Sequence, residues 1–492
     1  MDKENRKNCK LVNILRTFDR EEFRNFEKIA VSPYFSSGRN YRPYVEALKK
    51  FYPEFNGDMQ YRSRSRKLIF EKVHPGRKYN DQYMKNIFTD LIHFAEETLL
   101  QSVTRKHNHE NLASLAIEEA KRNLFPLANQ NIRRLDSKLD ESGIDEIYFY
   151  CKGMGEIAYS ILFNKSRGKN HISGIPFSTG EYFIFFSLIT LALSIYNTSV
   201  RRLAICADEE IQFNEAYAGL VDLYKLEKLL SDSKTENKEI ILIFIYYLIH
   251  KTRKPSYSNY KKMKNLVMIN YPRLNKRMLF YTVSLMFEIL NDLRETIRES
   301  VFRKEMQSTA EFSLANECYK IMKTSVFPYQ RFRTYYKNAI ALGKTTWVKE
   351  FLAKYSHELP GDIRPEAESL VSANILFENG RFEEALELLK FKSKDIYSNL
   401  DRRLLKIKIL FNKKSLIQAS ENLDAFKKFV SHNKEAKRIC SGNFILFIKY
   451  CRTLINSEDK TGSDIKHILR ELHSAPAFPE KRWLTEKFEK VH

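Results

Sequence analysis

The feature that most constrains what this chain can fold into is a self-similarity near its C-terminal end. The stretch NILFENGRFEEALELL (374–389) aligns without gaps on KILFNKKSLIQASENL (408–423). Leu376 pairs with Leu410, Phe377 with Phe411, Phe382 with Leu416, Ala385 with Ala419 and Leu389 with Leu423. Every offset is 34, the period of tetratricopeptide helical hairpins. The pattern has a packing reason. Two antiparallel helices approach closely only where one presents a small side chain, here Ala385 and Ala419. The chain must also reverse at a residue such as Gly380, which tolerates a left-handed backbone. A looser copy, NAIALGKTTWVKEFL (338–352), puts Gly343 at the turn, 37 residues before Gly380. Three such hairpins are enough to bury a continuous core.

The rest of the sequence also reads as helix. Turn-rich β folds consume Gly and Pro, and this chain of 492 residues has 15 and 13 of them. Near the N-terminus, Asp19 with Glu22 three residues on forms a capping-box pattern, and Ser32-Pro33 stops the helix that follows. Met84, Ile87, Phe88, Leu91, Ile92, Ala95, Leu99 and Leu100 make one apolar stripe. The polar run KHNHE (106–110) marks a first boundary. Beyond it, single helices are expected over 208–230, 275–304 and 308–324, among others. More than two thirds of the chain is expected to be helical. The fold class is all-α: tetratricopeptide-like hairpins forming an α-solenoid, with an N-terminal helical domain (1–104), a central region of degenerate repeats (105–310) and the clear repeats (311–492).

Several segments resemble a family of bacterial helical-repeat, tetratricopeptide-like proteins. They are LRTFDREEFRNFEKIAVSPYF (15–35), HPGRKYNDQYMKNIFTDL (74–91), FEEALELL (382–389), NLDAFKKFV (422–430), NFILFIKY (443–450) and EKRWLTEKFE (480–489). The middle, 105–320, is matched only by its helical character. The resemblance implies an all-helical repeat fold, and no activity or functional residue comes with it.

Cys9, Cys151, Cys206, Cys318, Cys440 and Cys451 have no CxxC spacing and no compact cluster. In a chain this large and rich in core residues, reduced buried thiols are expected rather than a disulfide framework. The first residues, MDKENRKNCK, lack the apolar stretch of a signal peptide. The apolar runs 182–196 and 240–249 fall short of the roughly 20 residues that a bilayer span needs, so both are expected to be buried central helices. A cytoplasmic protein with no transmembrane segment follows.

No catalytic constellation emerges, and an enzyme is not expected. Gly343-Lys344-Thr345 resembles part of a phosphate-binding loop, but the required earlier glycine is Asn338 and no strand precedes it. His107, His109 and Glu110 lack the further ligands that zinc requires. Gly153 in KGMGE sits mid-helix and suits packing rather than a dinucleotide fingerprint. Acid runs at Asp208-Glu209-Glu210 and at Glu383-Glu384 suit helix N-termini. No cofactor and no metal is expected.

Two candidate binding surfaces remain. In tetratricopeptide arrays the first helix of each hairpin lines a concave groove. The repeat register makes Lys337, Asn374 and Lys408 equivalent there, with Arg333, Leu370 and Leu404 one turn to one side and Ala341, Glu378 and Asn412 to the other. Leucine replaces a cation at two places of the known carboxylate clamp. The expected ligand is therefore a protein or peptide with one acidic group, met by Arg333 and Lys337, and apolar side chains beside Leu370 and Leu404. The alternative partner is nucleic acid. The formal charge is +22, and residues 251–277 hold Lys251, Arg253, Lys254, Lys261, Lys262, Lys264, Arg273, Lys276 and Arg277 with no acid. Residues 318–349 are likewise basic and acid-free, with Tyr329, Phe332, Tyr335 and Tyr336 interleaved. A basic stripe with aromatics suits phosphate tracking and base stacking. Equally, lysine stems cover helix faces while aromatics fill cores. Arg62–Lys67 (RSRSRK) is a third, shorter basic run.

Overall fold

A computed structural model describes residues 8–36, 38–106, 108–165, 180–205, 213–321, 326–393, 395–439, 443–457, 462–476 and 478–491. Its helices are α1 (Lys10–Leu15), α2 (Arg20–Val31), α3 (Pro33–Ser36), α4 (Arg42–Lys49), α5 (Arg62–Val73), α6 (Asp81–Lys106), α7 (Asn108–Lys121), α8 (Phe125–Ser142), α9 (Glu146–Lys165), α10 (Glu181–Ile205), α11 (Phe213–Leu220), α12 (Leu223–Asp232) and α13 (Lys238–Thr252). There follow α14 (Tyr257–Asn270), α15 (Lys276–Leu293), α16 (Glu299–Ala315), α17 (Tyr329–Ala341), α18 (Thr345–Tyr355), α19 (Arg364–Glu378), α20 (Phe382–Leu388), α21 (Ile396–Asn412), α22 (Leu416–His432), α23 (Lys434–Ile439), α24 (Asn443–Ile455), α25 (Gly462–Ser474) and α26 (Lys481–Val491). These helices hold more than two thirds of the chain. Among the described residues, extended pairing is limited to two isolated bridges. Helices pack mostly on their neighbours in sequence.

The chain divides into two compact units, Met1–Lys138 with Met154–Ile175, and Leu139–Gly153 with Pro176–His492. This division runs differently from the boundaries expected at 104 and 310. The first unit contains two separate cores. One is drawn from Cys9 through Ala95 and the other from Ala116 through Leu162. The capping box forms as expected. The Asp19 carboxylate accepts from the backbone N–H of Glu21 and Glu22 at 2.8 Å, and Glu22 accepts from the Asp19 N–H at 3.1 Å. α2 ends before Ser32, and Pro33 opens α3, where its missing N–H costs nothing. The run RSRSRK lies on α5, where Arg66 is buried and pairs with Asp81 at 2.9 Å.

In the second unit α13 is the central helix. Every residue from Ile240 to His250 is buried, against α10, α12, α14 and α15. The other apolar run differs from expectation. α10 is long and apolar enough to cross a membrane, but only about a third of that stretch is buried. Phe185, Leu188, Ile189, Ala192, Leu193 and Ile195 face the core, while Ser187, Thr190 and Asn197 face outward beside Ile184 and Val200. Gly153 of α9 lies under the ring of Phe183, where a methyl group would sit 2.8 Å from the ring edge, so its role is packing.

The three expected helices are redrawn, that at 308–324 as the second half of α16, which ends at Ala315. The 208–230 helix appears as α11 and α12, because Asp222 caps α12 by accepting from the Lys225 N–H at 3.1 Å. The 275–304 helix stops at Leu293, where the Thr296 hydroxyl donates to the Leu293 carbonyl at 2.9 Å and satisfies an acceptor the helix would have used.

The repeat register reappears as three hairpins, α17/α18, α19/α20 and α21/α22. Gly343, Gly380 and Lys414 end the first helices at φ of 71°, 74° and 60°. Each end carries the same pair of bonds. At the second turn, Gly380 N–H donates to Phe377 O at 3.1 Å and Arg381 N–H to Leu376 O at 2.9 Å. At the third, Lys414 N–H donates to Phe411 O at 2.9 Å and Ser415 N–H to Leu410 O at 3.0 Å. Lys414 thus holds a backbone conformation that suits glycine. We expect Lys414→Gly to raise stability by about 0.5–1 kcal/mol, the left-handed strain relieved less the added freedom of the unfolded chain. An unchanged or lower melting temperature would refute this. Ala385 and Ala419 are fully buried at their crossings. Ala385→Leu and Ala419→Leu should each cost about 1–3 kcal/mol by overpacking, and thermal unfolding equal to the parent's would contradict it.

Candidate functional site

The first helices of the three hairpins share a charged face. Arg333 and Lys337 lie one turn apart on α17. Both reach Asp401 on α21, which is 4% exposed. Arg333 grips it with two bonds, Nε to Oδ2 at 2.5 Å and Nη2 to Oδ1 at 2.7 Å, while Lys337 Nζ donates to Oδ1 at 2.8 Å. Such a two-pronged guanidinium–carboxylate pair is strong and geometrically specific. Burial alone would raise the Asp401 carboxyl, but Arg333 and Lys337 outweigh it and bring it down to about 2. Burial likewise opposes the charge on Arg333, and Asp401 more than offsets this.

Seven residues beyond Asp401, and so on the same face of α21, Lys408 donates to Glu480 Oε2 at 2.7 Å. Lys337 Nζ stands 4.0 Å from Glu480 Oε1. Burial would raise Glu480 too, and Lys408 with Lys337 holds it below the usual range. Glu480 precedes α26 and has a φ of 61°. The helix it introduces continues along the same face. Trp483 packs edge-on against Phe411 with ring centroids 5.6 Å apart. Lys487 donates to the side-chain oxygen of Asn412, and Arg482 to the carbonyl of Ala341. Leu484 and Phe488 are fully buried, in the same core cluster as Leu404 and Ile407.

The expected groove residues therefore divide. Arg333, Lys337 and Lys408 converge on carboxylates. Leu370 and Leu404, expected as apolar contacts for a ligand, are buried in core clusters. Their side chains point into the layer between hairpins. Asn374 and Asn412 turn their amides back to the carbonyls of Leu370 and Lys408, at 2.7 and 2.8 Å. Glu378 is exposed. Sequence reading missed Asp401, Glu480 and Trp483. Asp401 was within reach, because it is seven residues before Lys408 on the helix already assigned to the groove. Nothing periodic connects Glu480 or Trp483 to that face.

The basic segment 251–277 looks different in space. Lys251 pairs with Glu288 at 3.0 Å and Asp292 at 3.2 Å, Lys262 with Glu227 at 3.0 Å, Lys264 with Glu305 at 2.6 Å, and Lys276 with Glu317 at 2.8 Å. Arg277 pairs with Asp145 and Glu146. Arg253 donates to the carbonyls of Gly219 and Val221, and Arg273 to Asn270 and Asn237. Lys261 stands over the Tyr257 ring at 5.2 Å, and Lys254 is exposed. The segment lacks acids in sequence, yet acids from elsewhere in the unit meet five of its nine cations. In 318–349, Tyr329, Phe332, Tyr335 and Tyr336 are all buried, so these rings are core rather than stacking platforms.

Glu383 and Glu384 occupy the first turn of α20, whereas Asp208-Glu209-Glu210, His107, Cys206 and Cys440 lie outside the described residues. His109 contacts the Lys138 carbonyl at 3.2 Å. Cys9, Cys151, Cys318 and Cys451 are all buried. Among the described residues, no group of three or more His, Cys, Asp or Glu could hold a metal ion. Comparison with protein-family models, curated proteins and solved structures gives no match to this chain.

Proposed function

We propose that this protein is a non-enzymatic, cytoplasmic scaffold of tetratricopeptide-like hairpins that binds a protein or peptide partner in the groove lined by α17, α19 and α21. One observation carries the reading. Positions chosen from the repeat register alone, Lys337, Lys408 and Asn412, are met by another segment of the chain itself, through Glu480 just before α26 and Lys487 on it. A face that accepts a helix bearing a carboxylate and an indole has the chemistry of a helix-in-groove site. Repeat arrays generally use such extended inner surfaces for recognition. The nucleic-acid alternative is the weaker reading, because the cations of 251–277 are largely paired and the aromatics of 318–349 are buried.

Salt separates the two readings. Phosphate contacts release counterions, so their affinity falls steeply with salt, whereas an apolar helix–groove contact changes little. Full-length protein recovered from its native host, with and without nuclease, should retain the same protein partners at low and high salt. Retention of nucleic acid alone, lost as salt rises, would reverse the order of the two readings.

A further inference from the structure

The chain's own occupant defines what this groove selects. With α26 in place, Arg333, Lys337 and Lys408 face Asp401 and Glu480. Without it, Arg333 and Lys337 keep Asp401, while Lys408 loses the carboxylate it is bonded to and retains only the nearby charge of Glu378. The occupant is also an imperfect fit. Glu480 holds a left-handed backbone that a side chain disfavours. The Trp483 indole N–H is buried with no hydrogen-bond acceptor among the described residues. The segment before the helix is anchored separately, because Phe478 is buried and stacked on Tyr450 with ring centroids 5.8 Å apart. Pro479 and Glu480 lie between that anchor and α26, which itself packs on α24 and α25.

Resting on the groove reading above, we propose that α26 is an exchangeable occupant, and that the partner is an amphipathic helix repeating its pattern. That pattern is a carboxylate, a large aromatic three residues on, an apolar residue at the fourth place and a second aromatic at the eighth, as in Glu480, Trp483, Leu484 and Phe488. The partner displaces α26 and takes its place on Lys337 and Lys408. A partner keeps a cation where Lys487 stands, because Asn412 presents its side-chain oxygen there while its amide N–H is given to Lys408 O.

The chain has two tryptophans, so Trp347→Phe leaves Trp483 as the sole reporter of the groove. The probe is a synthetic peptide spanning residues 478–492 with Trp483→Phe, which carries no indole of its own. A second probe adds Lys487→Glu. Because α26 is tethered, it competes at an effective concentration on the order of mM, and the titration extends to that range. Trp483 emission should shift to the red as the indole leaves its buried site. The Lys487→Glu peptide, which gives up the bond to Asn412, should act only at higher concentration. In protein also carrying Glu480→Gln, the midpoint should fall by about tenfold, the order of one charge-assisted bond. Emission that stays fixed with both peptides in the Trp347→Phe protein overturns the proposal, as does an equal shift with a scrambled peptide. If emission stays fixed while host partners are still retained independently of salt and nuclease, the scaffold reading stands and only the exchange fails.

Discussion

Asp401→Ala is expected to destabilise the C-terminal hairpins by about 3–5 kcal/mol, because it leaves Arg333 as an uncompensated, poorly hydrated charge and Lys337 with only Glu480 at 4.0 Å. The network as a whole is worth much less. Charge desolvation nearly cancels the attraction in buried pairs, so Arg333→Met with Lys337→Met and Asp401→Leu should come within about 1–2 kcal/mol of the parent. Denaturant unfolding of the single and triple variants checks both statements. A triple variant as unstable as Asp401→Ala would mean that the pairing itself, rather than the stranded cations, carries the stability. The double variant Arg333→Glu with Lys337→Glu would place four carboxylates beside Lys408, so its loss of binding would report unfolding rather than recognition.

The same network sets an acid limit. The Asp401 carboxyl is held at about 2 against an ordinary 3.8. A depressed folded value means that the stability is fully present above the unfolded value and is lost as pH falls toward the folded one. The difference corresponds to about 2–3 kcal/mol, lost between roughly pH 4 and pH 2. Glu480 contributes with the same sign. Between pH 5 and 7 neither group changes stability. Acid titration of Asp401→Asn should show a shallower fall below pH 4 than the parent, and superimposable curves would refute the assignment.

How much of this was legible in the sequence depends on the range of the interaction. Local signals read correctly. Asp19 with Glu22, Ser32-Pro33, Gly343 and Gly380 each fix the backbone through neighbours a few residues away, and Ala385 and Ala419 mark crossings through a short period. Lys414 was hidden because its left-handed backbone is imposed by the hairpin around it, and no glycine announces it. The break after Leu293 was hidden because RETIR contains no helix breaker. The charged site was hidden for a different reason. A run such as 251–277 is basic along the chain, but the acids that meet it, among them Glu227, Glu288 and Glu305, come from other helices. Charge counted along a sequence therefore overstates the charge that a folded surface presents. The groove cations show this at closest quarters, since Asp401 is 68 residues from Arg333 and Glu480 is 72 from Lys408.

Trp483→Ala is expected to cost about 3–5 kcal/mol, the range for emptying a large buried aromatic site. The indole is 7% exposed and packs on Phe411. Where that cost falls distinguishes two pictures of α26. As an exchangeable occupant, the helix opens without the rest of the unit, and the loss concentrates in that local opening. Amide exchange in α26 should then accelerate by roughly 10²–10³-fold, which is what 3–4 kcal/mol amounts to at about 1.4 kcal/mol per decade. Buried amides of α17, α19 and α21 should keep the parent's protection, apart from those beside the vacated indole. As a permanent part of the core shared with α22 and α24, α26 would open only with its neighbours, and the same variant would accelerate exchange equally across all of them. Leu484 and Phe488 favour the second outcome through their complete burial. Glu480's left-handed backbone and the unpaired indole N–H favour the first. Strain and an unsatisfied N–H lower the cost of opening at one end of the helix, whereas apolar burial secures the other. The expected result is therefore graded within α26, with the fastest exchange in the turn after Glu480 and the slowest around Phe488. A uniform rise through α22, α24 and α26 together would show that the helix is not separable.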